Sequence, residues 1–284
     1  MSPDEEMPSL QSFTPRMFSR PRDEGATPEA VSMQVRILDH QDNAAGIIRL
    51  REWALTKASP HEGHVVVDVG SGAGTMCARF AGLVGPTGAV TGVEPNPSLR
   101  TVAHERLAWT GASVVDGTAE QLPFGDASVD FLWCERVLQH VPDSEAAVRE
   151  FHRVLRPGGH AIILDSDHLT QRISDIDDDI HHLLLTRMLP LSFANPAAAR
   201  HLPAQLAHAG LQLDPDIGAS ALVLLGREVL EWPMAPRAIA AARQEGVLTD
   251  EQADRALASL TAAAERQTAF TSVSIFGFVA AKPA

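Results

Sequence analysis

The chain has 284 residues, 45% of them hydrophobic, enough for one large core with room for a smaller companion. Its 23 Lys and Arg stand against 36 Asp and Glu, a formal charge of −13, and no basic run is dense enough to hold a phosphate backbone, so a nucleic-acid partner is disfavoured. No segment reaches ~18 uninterrupted apolar residues, which excludes a membrane-spanning helix.

Residues 1–27 are rich in Pro, Ser and charge, lack periodicity and read as a flexible arm, with Phe13 and Phe18 able to staple it to a surface. The acidic opening MSPDEEMPSL has no apolar core and is no signal peptide. Residues 28–63 space Val31, Val35, Leu38, Ile47, Leu50 and Trp53 at helical steps and predict two cap helices broken near Asp42 and Asn43. Residues 64–169 then alternate. Strands at His64–Val69, Ala89–Val93, Ser113–Asp116, Val129–Cys134 and His160–Leu164 enclose helices at Thr75–Val84, Leu99–Trp109 and Ala146–Leu155, the last stopped by Arg156-Pro157-Gly158-Gly159. This order predicts βαβ units and a parallel sheet. Residues 170–210 read as cap or lid helices. Residues 211–284 read as completing the sheet, with strands at Ala219–Leu225 and Thr271–Ala281 around an Ala-rich helical stretch. Cys77 and Cys134 lie in apolar stretches without C-x-x-C spacing and read as buried thiols of a reducing compartment, so a cytoplasmic protein is expected.

The strongest motif is Val65-Val66-Val67-Asp68-Val69-Gly70-Ser71-Gly72-Ala73-Gly74, a strand running into three alternate glycines and a helix. Glycines there allow a sharp turn and close backbone approach to a ligand, and the helix beyond presents free N–H groups. Glu94 follows at the end of the second strand, where an acid accepts ribose hydroxyls. A dinucleotide fingerprint would require glycine where Thr75 stands. Asp68 suits an ammonium better than a pyrophosphate, which favours S-adenosylmethionine, a ribose ligand with no phosphate.

In order come Asp68-Val69-Gly70-Ser71-Gly72-Ala73-Gly74, Gly92-Val93-Glu94-Pro95-Asn96, Gly117-Thr118-Ala119-Glu120-Gln121-Leu122-Pro123-Phe124 and Leu155-Arg156-Pro157-Gly158-Gly159. Over residues 64–165 this set resembles the class I S-adenosylmethionine-dependent methyltransferases, within them the type 11 branch of quinone and natural-product biosynthesis. The resemblance implies an α/β, Rossmann-like sheet of seven mainly parallel strands, the last antiparallel, with helices on both faces and a helical cap. It implies that Asp68 and Gly70, with Ser71 and Gly72 of the same loop, face the methionine portion, and that Glu94, beside Pro95, holds the ribose diol. Thr118 and Ala119 would lie against adenine, and Cys134 and Glu135 would border the methionine moiety. Many relatives have Asp where this chain has Thr118, a weaker acceptor for the adenine amino group.

Methyl transfer to a hydroxyl needs a proton acceptor. His140, in the segment after the fourth strand, is the candidate base, poised if its pKa lies near ~6.5. Turn capping before Pro142 is the competing reading. Asp165, ending the fifth strand, is expected to orient His140 or bind substrate. Asp165, Asp167, His168, His181 and His182 raise a metal reading, but Asp175, Asp177, Asp178 and Asp179 look like an acidic first helical turn and the adjacent histidines diverge, so no metal is expected. Met33, Met188, Leu189, Leu191 and Phe193 are candidate pocket walls or plain core. The expected reaction is methylation of oxygen or carbon on a small, largely apolar acceptor. The alternatives are a protein or cyclase that holds the cofactor without methyl transfer, and a nicotinamide oxidoreductase, disfavoured by Thr75. No signal for an oligomeric state is present.

Overall fold

The computed structural model describes residues 27–232 and 234–284. The expected arm, with Phe13 and Phe18, lies outside the described residues except for Thr27. Thr27 caps α1 (Pro28–Asp42): its hydroxyl accepts from Ala30 N, and Pro28 occupies the first turn. Asn43 closes this helix by donating to Asp39 O, and α2 (Ala45–Lys57) follows. The break falls where the change in spacing put it.

The sheet is built on β1 (Val65–Val69), which pairs in parallel with β2 (Ala89–Val93) on one side and β4 (Val129–Glu135) on the other. Beyond β2 lies β3 (Ser113–Val115), and beyond β4 lies β5 (Leu155–Ile173), both parallel. The full order is β3-β2-β1-β4-β5-β8-β6, with β8 at Phe270–Ala281, β6 at Gln212–Leu213 and β7 (Gly218–Leu225) pairing β8 as well. Among the described residues the sheet therefore has eight strands rather than the expected seven, because the penultimate stretch is divided into β6 and β7. Gly158 and Lys282 pair at one end of the β5–β8 seam and Ser174 and Phe270 at the other, so these strands run antiparallel.

Helices cover both faces. On one face Val66, Phe131 and Trp133 meet Ile47 and Leu50 of α2, Phe80 of α3 (Thr75–Val84) and Leu107 of α4 (Pro97–Leu107). The Phe80 ring stands edge-on to Trp133 and Phe131 at 5.5 and 5.7 Å, a geometry worth ~0.5–1.5 kcal/mol per pair beyond area burial. Trp53 packs where a Cβ on Gly218 or Gly277 would come within 2.4 and 2.6 Å, so its ring occupies space that only glycine leaves. On the other face Val67, Leu132 and Ile163 meet Phe151 of α5 (Ser144–Val154) and Leu202 of α8 (Ala198–His208).

The fifth strand differs most from expectation. Arg156-Pro157-Gly158-Gly159 does stop α5 at Val154, yet it enters β5 directly, because Gly158 and Gly159 pair with Lys282. The strand also runs on past Leu164 to Ile173, sustained by contacts such as Ser274 N to Thr170 Oγ1. Its hydrogen-bond partner is supplied by a segment more than a hundred residues away, which local periodicity cannot register.

The described residues divide into two compact units: residues 172–192 with 224–271, and residues 27–171 with 193–223 and 272–284. The smaller one contains α6 (Asp178–Leu183), a π-helical turn over Leu184–Met188, α7 (Leu189–Ser192), α9 (Glu228–Glu231), α10 (Met234–Gln244) and α11 (Asp250–Glu265). Its core joins Ile180, Leu184, Val229, Ile239 and Leu260, with Ala253, Ala256, Ala263 and Ala264 as small residues that let helices approach closely. A Thr249–Gln252 capping box starts α11. Residues 170–210 contribute to both units. No described helix is long and apolar enough to cross a membrane.

Candidate active site

Parallel strands bring the ends of β1, β2, β4 and β5 to one edge, where the order reverses between β1 and β4. Gly70, Gly72 and Gly74 take φ of +66°, +54° and +85°, conformations that disfavour any side chain. A Cβ on Gly70 would stand 2.3 Å from Val137 Cγ2, so the loop runs directly against the turn after β4; one on Gly72 would meet Leu38 of α1 at 3.2 Å. Glu94 is buried and accepts from the Gly72 amide through Oε2 and from the Asn96 amide through Oε1, each at 2.9 Å. Ser71 packs against Gly92, where a Cβ would lie 2.4 Å from Ser71 Oγ. Arg100 donates to the carbonyls of Glu94 and Pro95 and to Asp116, joining the ends of β2 and β3. Thr118, half-buried, starts a tight turn in which Gln121 N donates to its carbonyl, and Ala119 is buried beside it.

Asp68 faces α3, and its carboxylate accepts from the Cys77 thiol at 3.3 Å. Burial pushes its pKa up to about 7. Glu135 is held by Arg51, which donates to both its oxygens at 2.7 and 3.0 Å and to Asp42 at 2.6 Å. Arg136 donates to Asp42 and to Gln41, and Trp133 Nε1 to Glu135. Arg136 adopts φ +58°, a strained setting for a side-chain-bearing residue, and its amide is held by Leu164 O at 2.7 Å. Cys134 is buried in the core, and burial raises its thiol pKa. The sequence reading missed Arg51, Asp42 and Arg136 in this cluster. Arg51 had a signal: it shares the buried face of α2 with Ile47, Leu50 and Ala54, and a charge on an apolar stripe needs a partner.

The turn Leu138–His140 carries the candidate base. Asp165, fully buried, accepts from the amides of Leu138 and Ser166 at 2.7 and 2.8 Å, so what its carboxylate holds is the backbone of the turn. The expectation that Asp165 orients the imidazole is therefore corrected: His140 Nε2 is engaged by the Gln139 side chain at 3.0 Å. A second correction concerns acidity. Burial, with the Arg136 charge adding to it, pushes the His140 pKa down to about 4, not near ~6.5. His168 is likewise pushed down by burial, to about 3, and stacks on Phe193 at 3.7 Å. Asp167 is taken up by Arg200. Of the candidate pocket walls, Phe193 lies beside these imidazoles, while Met188 belongs to the core of the smaller unit and Leu189 is buried.

Residues 67–163 match the family model described as "Methyltransferase domain", of type 11. The ubiquinone/menaquinone biosynthesis C-methyltransferase UbiE of Pseudomonas putida is 33% identical over 135 residues, 46% of this chain and 53% of that protein. The chain thus spans about half the length of the curated relatives it matches. Among solved structures, the YcgJ protein of Bacillus subtilis aligns with a TM-score of 0.59 at 22% identity, covering 83% of this chain and 98% of that one. The Haemonchus contortus phosphoethanolamine N-methyltransferase 2, in complex with S-adenosyl-L-methionine, aligns with a TM-score of 0.56 at 14% identity over 92% of this chain and 59% of that one. These likenesses agree on the Rossmann-like fold, and the match over residues 67–163 supports a class I, type 11 methyltransferase domain there.

The aligned Haemonchus contortus enzyme is in complex with S-adenosyl-L-methionine, and the residues of this chain fit that group. The glycine loop holds left-handed φ values that side chains disfavour, Glu94 is a buried carboxylate bonded to that loop, and Asp68 is a buried carboxylate that a neighbouring cation would stabilise in its charged form.

Proposed function

We propose that this chain transfers a methyl group from S-adenosylmethionine to an oxygen or carbon of a small, largely apolar acceptor, of the quinone-like or phenolic kind. The observation that carries the reading is the bond from Gly72 N to Glu94 Oε2: the ribose acceptor and the glycine cradle form one preorganised unit. In this reading Glu94 holds the ribose diol with Pro95 alongside, Gly70, Ser71 and Gly72 supply close backbone contact, and Thr118 and Ala119 border adenine. Asp68, Cys134 and Glu135 flank the methionine portion. The bound sulfonium supplies an electrophilic methyl carbon, so the protein's part is to align the nucleophile, exclude water and dispose of a proton where one must leave.

The relative named for quinone C-methylation supports the acceptor class. An acidic phenol or activated ring carbon demands little of a base, which suits imidazoles held neutral by burial. The full chain, S-adenosylmethionine and a panel of hydroquinones and phenols, analysed by mass spectrometry, test the proposal. S-adenosylhomocysteine and a methylated acceptor in equal amounts are expected. A protein that binds the cofactor yet forms neither product across the panel is a non-methylating binder or cyclase.

A further inference from the structure

Gln139 stands between two imidazoles, its Nε2 3.0 Å from His140 Nε2 and its Oε1 2.9 Å from His168 Nε2. A carboxamide nitrogen can only donate and its oxygen only accept. His140 Nε2 must therefore present a lone pair, which puts the His140 proton on Nδ1. His168 must carry its proton on Nε2, which leaves the lone pair on Nδ1. Turning the amide over exchanges these assignments but never makes them equal.

The surroundings hold the bridge in place. Gln139 O accepts from Asn195 N at 2.9 Å, and His168 N donates to Pro196 O at 2.8 Å, so one short segment ties both backbones. Phe193, from the same segment, stacks on His168 at 21° and lies 5.4 Å from the His140 ring. Asn195 also donates to Ser144 at the start of α5. The charged groups nearby are Arg136 on the same turn, Asp165 beneath it with its oxygens on amides, and Asp167 paired with Arg200.

We propose that Gln139 is a positioning residue that locks His140 and His168 in opposite tautomers, so that one ring carries its proton on Nδ1 and the other keeps a basic Nδ1, the basic nitrogen belonging to His168. This moves the proton-accepting role from the residue the sequence singled out to one 28 positions further on. Burial keeps both rings neutral at ordinary pH, so the pattern holds across the working range. Its catalytic meaning rests on the methyl-transfer reading; the tautomer pattern does not.

The test is long-range proton–nitrogen correlation on the full chain with nitrogen-15 histidine at pH 7, the two rings assigned through His140→Asn and His168→Asn. One ring protonated at Nδ1 and the other at Nε2 are expected. Gln139→Glu replaces the amide with acceptors at both ends, so both rings should become Nε2–H and their titrations should move up toward neutrality. Two rings of the same tautomer in the parent overturn the proposal, as does a Gln139→Glu spectrum identical to the parent's. Should Gln139→Glu not fold, the parent spectrum decides alone. With a hydroquinone acceptor, His168→Asn is expected to lower kcat by about 10-fold at unchanged KM for S-adenosylmethionine, and more than His140→Asn does. The reverse order overturns the assignment of the basic nitrogen. Absence of S-adenosylhomocysteine with every protein and acceptor sinks the methyl-transfer reading and leaves the tautomer result standing.

Discussion

At the scale of single residues, Glu94 and Asp68 make opposite demands on their surroundings. Glu94 accepts from one backbone amide at each oxygen. Glu94→Gln must turn an NH2 toward the Gly72 or the Asn96 amide, a donor facing a donor. Charged hydrogen bonds are worth ~1.5–3 kcal/mol, so S-adenosylmethionine affinity should fall ~10–100-fold, and further for Glu94→Ala. Titration calorimetry giving the parent's affinity for both variants would remove Glu94 from the cofactor site. Asp68 has no amide donors to offset its burial and is pushed up to about 7. Between pH ~4 and ~7 the folded chain keeps a proton there that the unfolded chain has lost. Stability from this group is thus present at low pH and declines as pH rises through that window. Asp68→Asn mimics the protonated form. It should match the parent near pH 4 and exceed it increasingly up to pH 7, by ~1 kcal/mol per pH unit, in urea denaturation without cofactor. A difference independent of pH would mean that Asp68 ionises as an ordinary surface acid.

At the scale of elements, the loop between β1 and α3 is where backbone conformation and function meet. Gly72→Val combines a left-handed φ of +54° with a branched side chain directed at Leu38. The rest of the sheet does not depend on this position, so the variant should keep its circular dichroism and lose ~1–3 kcal/mol of stability while cofactor binding is abolished. A folded variant with parental affinity would show that the loop does not meet the ligand. Much of this loop was legible in the sequence, because a strand, three alternate glycines and a helix start are contiguous and each residue's conformation is a local property. The turn after β4 was legible only in part. His140 was read as the base from its place beyond β4, but Gln139, the residue that fixes its hydrogen bonding, draws its meaning from His168, which no local pattern links to it.

At the scale of the whole molecule, four buried ionisable groups set opposing responses to acid. His140 and His168, pushed down to about 4 and 3, stay neutral while their unfolded counterparts gain protons below ~6.5, so their contribution is lost as pH falls from there. Asp68 and Asp165, both pushed up to about 7, contribute increasing stability over the same descent. The two pairs nearly cancel, and the denaturation midpoint should change little between pH 6.5 and 4.5. Removing the imidazoles with His140→Asn and His168→Asn together should uncover the carboxyl term, making that protein more stable on acidification over this interval. A double variant as insensitive to pH as the parent would show that the histidines titrate freely. By itself the sequence determined the βαβ core, the glycine loop and the place of the acid beyond β2, since these follow from periodicity and short-range conformational preference. Only the tertiary structure decided that β5 runs on to Ile173, that Arg51 reaches Glu135, that residues 170–210 contribute to two units, and that Gln139 joins two imidazoles. Each of these depends on a contact between segments far apart in the chain, and such a contact comes into being only when the packing of the cores brings them together.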